Sequence, residues 1–284
     1  MRQRCVTVGV DGSPASQVAV GWAADEARLR RLPLRLLHVV DWPVQDAAAR
    51  SVAGVEVLQQ LRTEGRRILD DRYDYVRALS PELSVSAYLY DGNPAHRLVA
   101  ESAEADLVVL GRRGLGGFRG LLLGSVSTQV SAHAYAPVLV VPPGTSALHT
   151  SPARIVVGVD GSPGATYAVE CAFAEAAMRR VPLLAVQVWQ PMPYEPHPGG
   201  RVIGEAVAPW REKYPAVEVE ERLVTGPPAA ALLALLDAES LVVAGSRGRG
   251  GFRGLLLGSV GQALLHHAPC PVLVARAVGV PAEG

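Results

Sequence analysis

The sequence predicts two doubly wound α/β domains in tandem, and three observations carry that expectation. At 284 residues the chain has about the length of two ordinary domains. Its halves repeat each other part for part: residues 6–16, VTVGVDGSPAS, return as 155–165, IVVGVDGSPGA, and residues 30–39 return as 179–188. Within each half, short runs rich in Val, Ile and Leu alternate with stretches of helical length, the pattern of a parallel sheet with right-handed crossovers.

The first strand is read over residues 6–10, whose unbroken apolar run suits burial on both faces. Ser13 then supplies an N-cap and Pro14 the first helical position, where a missing N–H costs nothing; Ser162 and Pro163 repeat the device. The helix that follows, 15–30, carries Val18, Trp22 and Leu29 on its apolar side and Arg28, Arg30 and Arg31 near its C-terminus, where the dipole favours cations. A second strand is expected over 34–40. Residues 50–79 read as a charged amphipathic helix covering the sheet, with Val55, Leu58, Leu61, Ile68 and Leu69 on one side. The counterpart, GRVIGEAVAPWREKY, is shorter and is expected to be broken by Pro209. Strands three to five are read over 83–89, 107–110 and 138–141.

The offset between copies is 149 residues at Asp11/Asp160 and 134 at Gly111/Gly245, so the first copy holds 15 extra residues between its second and third strands. The seam, PPGTSALHTSPA at 142–153, has no apolar period. Domains are therefore expected over 1–143 and 154–284, with a linker at 144–153.

Composition narrows the function classes. Hydrophobic residues make up 49% of the chain, yet no apolar run is long enough to span a bilayer and no basic-then-apolar leader opens it, so a cytoplasmic protein with no membrane partner is expected. Lys plus Arg and Asp plus Glu both total 27; this balance argues against nucleic acid as a partner and requires any anion site to be local. Cys5, Cys171 and Cys270 are far apart and odd in number, which fits reduced core thiols better than disulfides or a metal site.

In an open parallel sheet, ligands bind outside the carboxyl ends of the strands where the strand order reverses. With the order 3-2-1-4-5, that point lies between strands one and four. Strand one ends in Gly9, Val10 and Asp11 (Gly158, Val159 and Asp160 in the second copy), and strand four ends at Gly111 (Gly245). There the stretch GRRGLGGFRGLLLGSV begins, returning at 245–260 as GSRGRGGFRGLLLGSV. Its glycines let backbone N–H groups approach a ligand, and Ser125 and Ser127 at a helix N-terminus complete an anion site, with phosphate as the natural guest. Of Arg113, Arg119, Arg247, Arg249 and Arg253, one or two per site are expected to touch ligand. Trp42 and Trp189 are read as matching positions after strand two, packing at the mouth of the crevice. His133 and His267 read as capping groups at the end of the last helix, and the adjacent His266 and His267 point different ways, against a shared metal.

Several chemistries lose their motifs. Neither loop has the lysine of GxxxxGK[ST], GxGxxG is missing after the first strand, and GxSxG, HExxH and CxxC do not occur.

The spacing Gly111-x2-Gly114-x9-Gly124-Ser125, repeated as Gly245-x2-Gly248-x9-Gly258-Ser259, resembles the ATP-binding signature of the universal stress protein family. The resemblance extends over nearly the whole chain, through GVDGS, His38-Val39, the loop and PVLVV, and is to the tandem form of that family. It implies two Rossmann-like domains of the adenine nucleotide alpha hydrolase type, each a five-stranded parallel sheet with helices on both faces. It further implies ATP as ligand, with any magnesium carried by the phosphates rather than by a protein motif. Asp11 and Asp160 would contact the ribose or polar groups nearby, on hydroxyls or on a magnesium ion, and the backbone at Val39 and Val188 would hold adenine. Gly111, Gly114, Gly124, Gly245, Gly248 and Gly258 would let the loops wrap ribose and phosphates. Ser125, Ser127 and Ser259 would bond phosphate oxygens beside Val126 and Val260, with Arg113 and Arg247 at hand.

The function so implied is a nucleotide-dependent regulator of stress response or growth that acts by binding rather than turnover, since no set of residues supplies a general base and a nucleophile. Two alternatives stay open: a slow ATPase or phosphotransferase using Asp11 or Asp160 with magnesium, and a nucleotide-free scaffold that dimerises. The edge strands 138–141 and 272–275 need cover, so the two copies are expected to pair as a pseudo-dimer, with a homodimer of chains as a further expectation. Arg112 against Ser246, Ser127 against Gly261, His38 against Gln187 and Asp106 against Ser240 lead to an expectation of unequal sites.

Overall fold

The computed structural model describes residues 4–42, 52–115, 122–146, 151–190, 200–248 and 257–276. The chain divides into two compact units, Met1–Ala136 with Ser146–Thr150, and Pro137–Thr145 with Ser151–Gly284.

The first unit runs β1 (Val6–Gly9), α1 (Pro14–Arg30), β2 (Leu34–Val40), α2 (Val52–Leu79), β3 (Val85–Asp91), α3 (Pro94–Ser102), β4 (Leu107–Gly111) and α4 (Ser125–His133). Its strands pair in parallel in the order β3-β2-β1-β4. The second unit holds β5 (Val138–Val141), then β6 (Arg154–Gly158), α5 (Pro163–Arg179), β7 (Leu183–Trp189), α6 (Arg201–Lys213), β8 (Val219–Thr225), α7 (Pro228–Leu233), β9 (Ser240–Gly245), α8 (Ser259–His267) and β10 (Val272–Ala275). Its parallel order β8-β7-β6-β9-β10 is 3-2-1-4-5 in the numbering of the repeat. By compactness β5 groups with this second unit, where it runs antiparallel to β10 with Leu139 opposite Leu273 and covers that strand's outer edge.

Local chemistry sets the helix starts. Ser13 Oγ accepts the Ser16 N–H at 3.1 Å, and Ser162 Oγ accepts the Ala165 N–H at 3.2 Å, each ahead of a proline in the first turn. The face that α1 buries is wider than the sequence indicates. Ala19, Ala23 and Ala27 lie fully buried beside Val20 and Trp22, while Val18 and Leu29 are half-buried, because small side chains let the helix lie close on the sheet. Both helices end on an arginine in the left-handed region, Arg31 at φ 55° and Arg180 at φ 56°.

The 15-residue difference between the copies falls within one element. Helix α2 has 28 residues and α6 has 13, whereas the segments that lead into them are of equal length. The extra residues amount to about four turns. Two expectations about these helices are corrected. Val55 and Leu61 are exposed (45% and 40%), and the stripe against the sheet is Leu58, Gly65, Leu69 and Val76. A rotation of 100° per residue puts those four within about 20° of one line and the other two about 60° to either side. Pro209 does not break α6; it stands on the exposed face, where the carbonyl it leaves unpaired can bond water.

Helix α2 reaches toward the ends of β1 and β2. A Cβ on Gly65 would lie 2.7 Å from His38 Cδ2 and 2.8 Å from Leu89 Cδ1, and His38 Nδ1 donates to the Val10 carbonyl at 2.7 Å. Cys5 and Cys270 are buried and Cys171 is half-buried, all as free thiols. Among the described residues no helix is long and apolar enough to cross a membrane.

Gly65→Leu tests this packing. Leucine raises helix propensity by about 1 kcal/mol, yet overpacking against His38 and Leu89 should lower stability by about 1–3 kcal/mol. A reduced urea midpoint is expected; an unchanged or higher midpoint would contradict the contact.

Candidate functional site

A cavity of about 360 Å³ opens at the carboxyl ends of β1, β2 and β4, where the strand order of the first unit reverses. Gly9, Val10, Asp11 and Val39 line it from the strands, Gly111, Arg113 and Gly114 from the loop, and Gly124, Ser125, Val126 and Ser127 from the start of α4. On the β2 side the wall is apolar, from Leu37, Val39, Pro94 and Leu98; on the β4 side it is made of loop backbone and a helix N-terminus.

Asp11 joins the two sides. Its Oδ1 accepts the Ser13 N–H at 3.0 Å and its Oδ2 accepts the Leu115 N–H at 2.9 Å, so one carboxylate shapes the turn after β1 and pins the glycine loop. Such an approach leaves no room for a side chain at Gly114, where a Cβ would lie 2.1 Å from Asp11 Oδ2. Gly111 meets a similar constraint, its Cβ position lying 2.9 Å from the Ala15 carbonyl. The far end of the loop returns through Gly124, whose N–H donates to Arg112 O at 2.9 Å.

Helix α4 starts differently from α1. Gly124 is its N-cap and makes no side-chain cap bond, so among the described residues no hydroxyl or carboxylate closes the first amides of the helix. An anion fits there, drawn by the N–H groups and by the dipole. Ser125 lies at this start beside Val126, whereas Ser127 is buried and its hydroxyl donates to Gly111 O at 2.8 Å. The expectation that Ser127 bonds a phosphate is therefore revised: its hydrogen already latches the helix to the end of β4.

The second repeat builds the same frame. Val159 N–H donates to Val186 O at 2.8 Å, as Val10 N–H does to Leu37 O, and Ser162 N–H reaches Asp160 Oδ1 at 2.9 Å. Gly258 N–H donates to Ser246 O at 2.9 Å, and a Cβ on Gly248 would lie 2.6 Å from Asp160 Oδ2. Gly158 ends β6, Val188 lies in β7, Gly245 ends β9, and Ser259 and Val260 open α8 behind a glycine cap with no side-chain bond.

The copies also differ in detail. A Cβ on Gly164 would lie 2.5 Å from Arg247 O, at the position where the first repeat has Ala15, and Ser162 Oγ donates to that same carbonyl at 3.4 Å. The second loop thus rests on the start of α5. Gln187, in place of His38, is buried, and its Oε1 has no hydrogen-bond partner among the described residues.

Other sequence candidates fall elsewhere. Trp189 pairs with Thr225 as Val40 pairs with Asp91, so it corresponds to Val40 and not to Trp42; the matching of the two tryptophans is an error of two positions. Asp106 pairs with Arg4 at 3.0 Å, and Ser240 donates to Asp237 at 2.7 Å, both at the opposite ends of their strands from the loops. His133 Nδ1 donates to Gln129 O at 2.8 Å within its own helix. Arg119, Arg249 and Arg253 lie outside the described residues. Among the described residues no group of three or more His, Cys, Asp or Glu could hold a metal. Sequence reasoning missed Asp41, an exposed carboxylate lining the cavity just past β2, and Ser16 in the first turn of α1.

The model of the universal stress protein family matches residues 3–142 and 153–276. A universal stress protein of Mycobacterium tuberculosis is 37% identical over 285 residues, covering 95% of this chain and 96% of the relative. One of Mycolicibacterium smegmatis is 37% identical over 289 residues, with 95% and 96% covered. Among solved structures, a universal stress protein of Archaeoglobus fulgidus is similar in fold, with a TM-score of 0.72 at 19% identity over 96% of this chain and 97% of that one.

The pinning of the loop has a direct readout. Gly114→Ala should displace the Asp11 carboxylate and speed hydrogen exchange of the Leu115 amide about tenfold, the loss of one hydrogen bond. Gly124→Ala, with its Cβ 3.4 Å from Arg112 O, should leave that amide unchanged. Equal exchange in both variants would contradict the pinning.

Proposed function

The chain belongs to the universal stress protein family, and from that premise we propose that each repeat binds an adenine nucleotide, ATP foremost, and that the protein works by changing state on binding rather than by turnover. The observation that carries the reading is the first-repeat cavity, which joins an apolar wall to the uncapped start of α4. A nucleotide divides the same way, into a flat apolar base, ribose hydroxyls and an anionic tail. The volume of about 360 Å³ falls within the usual range for ligand pockets.

Each part of the ligand has a counterpart. Adenine goes to the wall of Leu37, Val39 and Leu98. Ribose hydroxyls go to Asp11, where two of about four acceptor positions are taken by backbone N–H groups and the rest suit hydroxyl donors. The same carboxylate repels phosphate, so the tail runs to Ser125, the first amides of α4 and Arg113. Both Asp11 oxygens already accept a backbone N–H, which fixes the carboxylate as an acceptor for hydroxyl donors; magnesium would ride on the phosphates. Asp160, Ser259, Arg247 and the glycines of the second loop repeat the scheme. Binding would then shift the population of conformations that a partner reads. The free thiols suit a reducing compartment such as the cytoplasm.

Denaturing the purified protein and chromatographing what is released tests the reading. ATP is expected from both repeats, and Gly114→Glu and Gly248→Glu should each remove one repeat's share by blocking backbone approach and adding negative charge. Full nucleotide content in both variants would overturn the assignment of the loops.

A further inference from the structure

The second loop leaves the sheet beside the end of the last strand. Gly245, the last residue of β9, pairs with Ala275, the last residue of β10, and Ser246 N–H donates to Ala275 O at 3.2 Å. Because β9 and β10 are parallel, both chains exit at the same carboxyl edge, with Ser246 and Arg247 on one and Arg276 on the other. The motif PVLVV/PVLVA places Arg276 where the first repeat has Pro142, and Ser246 where the first repeat has Arg112. Two arginines therefore stand at the base of each loop, but they come from different segments: Arg112 and Arg113 in the first repeat, Arg247 and Arg276 in the second.

We propose that Arg276 is a phosphate-binding residue of the second nucleotide site, its guanidinium acting together with that of Arg247 on the anionic tail. The proposal rests on the reading that the second repeat binds a nucleotide. Arg276 is half-buried at the strand exit, and burial together with the nearby positive charge of Arg247 pushes its guanidinium below the ordinary arginine range. A polyanion placed against both guanidinium groups would be held by two positive charges at once. A planar guanidinium offers paired N–H donors to phosphate oxygens, and one fixed at a strand end reaches them with little loss of side-chain freedom.

The consequence is a division of labour within the second site. Adenosine contacts should not depend on Arg276, and contacts to the phosphate tail should. In a chain whose first site is blocked by Gly114→Glu, Arg276→Gln and Arg276→Ala should weaken ATP binding about tenfold or more, with adenosine binding unchanged and Arg276→Lys intermediate. Titration of ATP and of adenosine into each variant, with melting curves to confirm folding, reads the difference. Unchanged ATP affinity, or equal losses for ATP and adenosine, would overturn the role of Arg276 alone. If the Gly114→Glu chain with Arg276 intact binds no nucleotide, the reading of the second site falls, and this proposal with it.

Discussion

Asp11 sits at the end of the first strand and accepts two backbone N–H groups, one from the turn beside it and one from a loop 104 residues further along the chain. Much of the first site depends on that span. The carboxylate comes so close to the loop that Gly114 has no room for a side chain. The loop then closes through Gly124 on Arg112, and Ser127 latches the following helix to Gly111. The space left between this frame and the apolar wall of β2 is the cavity. Asp160 and Gly248 stand in the same relation in the second repeat, so duplication copied the constraint along with the residues.

Features governed by local rules were legible before the structure. Runs of Val and Leu marked the buried parallel strands, serine followed by proline marked the starts of α1 and α5, and the spacing of Gly111, Gly114 and Gly124 marked the loop. Features governed by tertiary geometry were not. Periodicity put Val55 and Leu61 on the sheet side of α2 because it reads hydrophobicity and not the line along which a helix touches its sheet. Ser127 has the residue type of a phosphate ligand, yet its hydroxyl is turned to Gly111, a partner 16 residues away that spacing does not reveal. The tryptophans are a different case: the 149-residue offset of the repeat already sets Trp189 against Val40, and strand register agrees with it. Arg276 is one arginine past a strand end, and only the pairing of Ala275 with Gly245 places it beside the loop.

The two repeats solve one problem with different parts. The first has Ala15 under its loop, a histidine linking β2 to Val10, and paired arginines adjacent in sequence. The second has Gly164, which lets the Arg247 carbonyl settle onto the start of α5, a buried glutamine where the histidine was, and its second arginine at a strand exit. Such differences leave the frame of carboxylate, glycine and open helix start intact while changing what surrounds it. Affinity and tail preference are then free to diverge between sites that share one architecture.

The central claim is that the glycine loops and the helix starts behind them are where an adenine nucleotide binds. Hydrogen exchange of the unaltered chain with and without ATP tests it most directly. The account predicts added protection at residues 111–115 and 125–127, and at 245–248 and 259–261. Protection confined to other segments, or no change at these amides under saturating ATP, would contradict it.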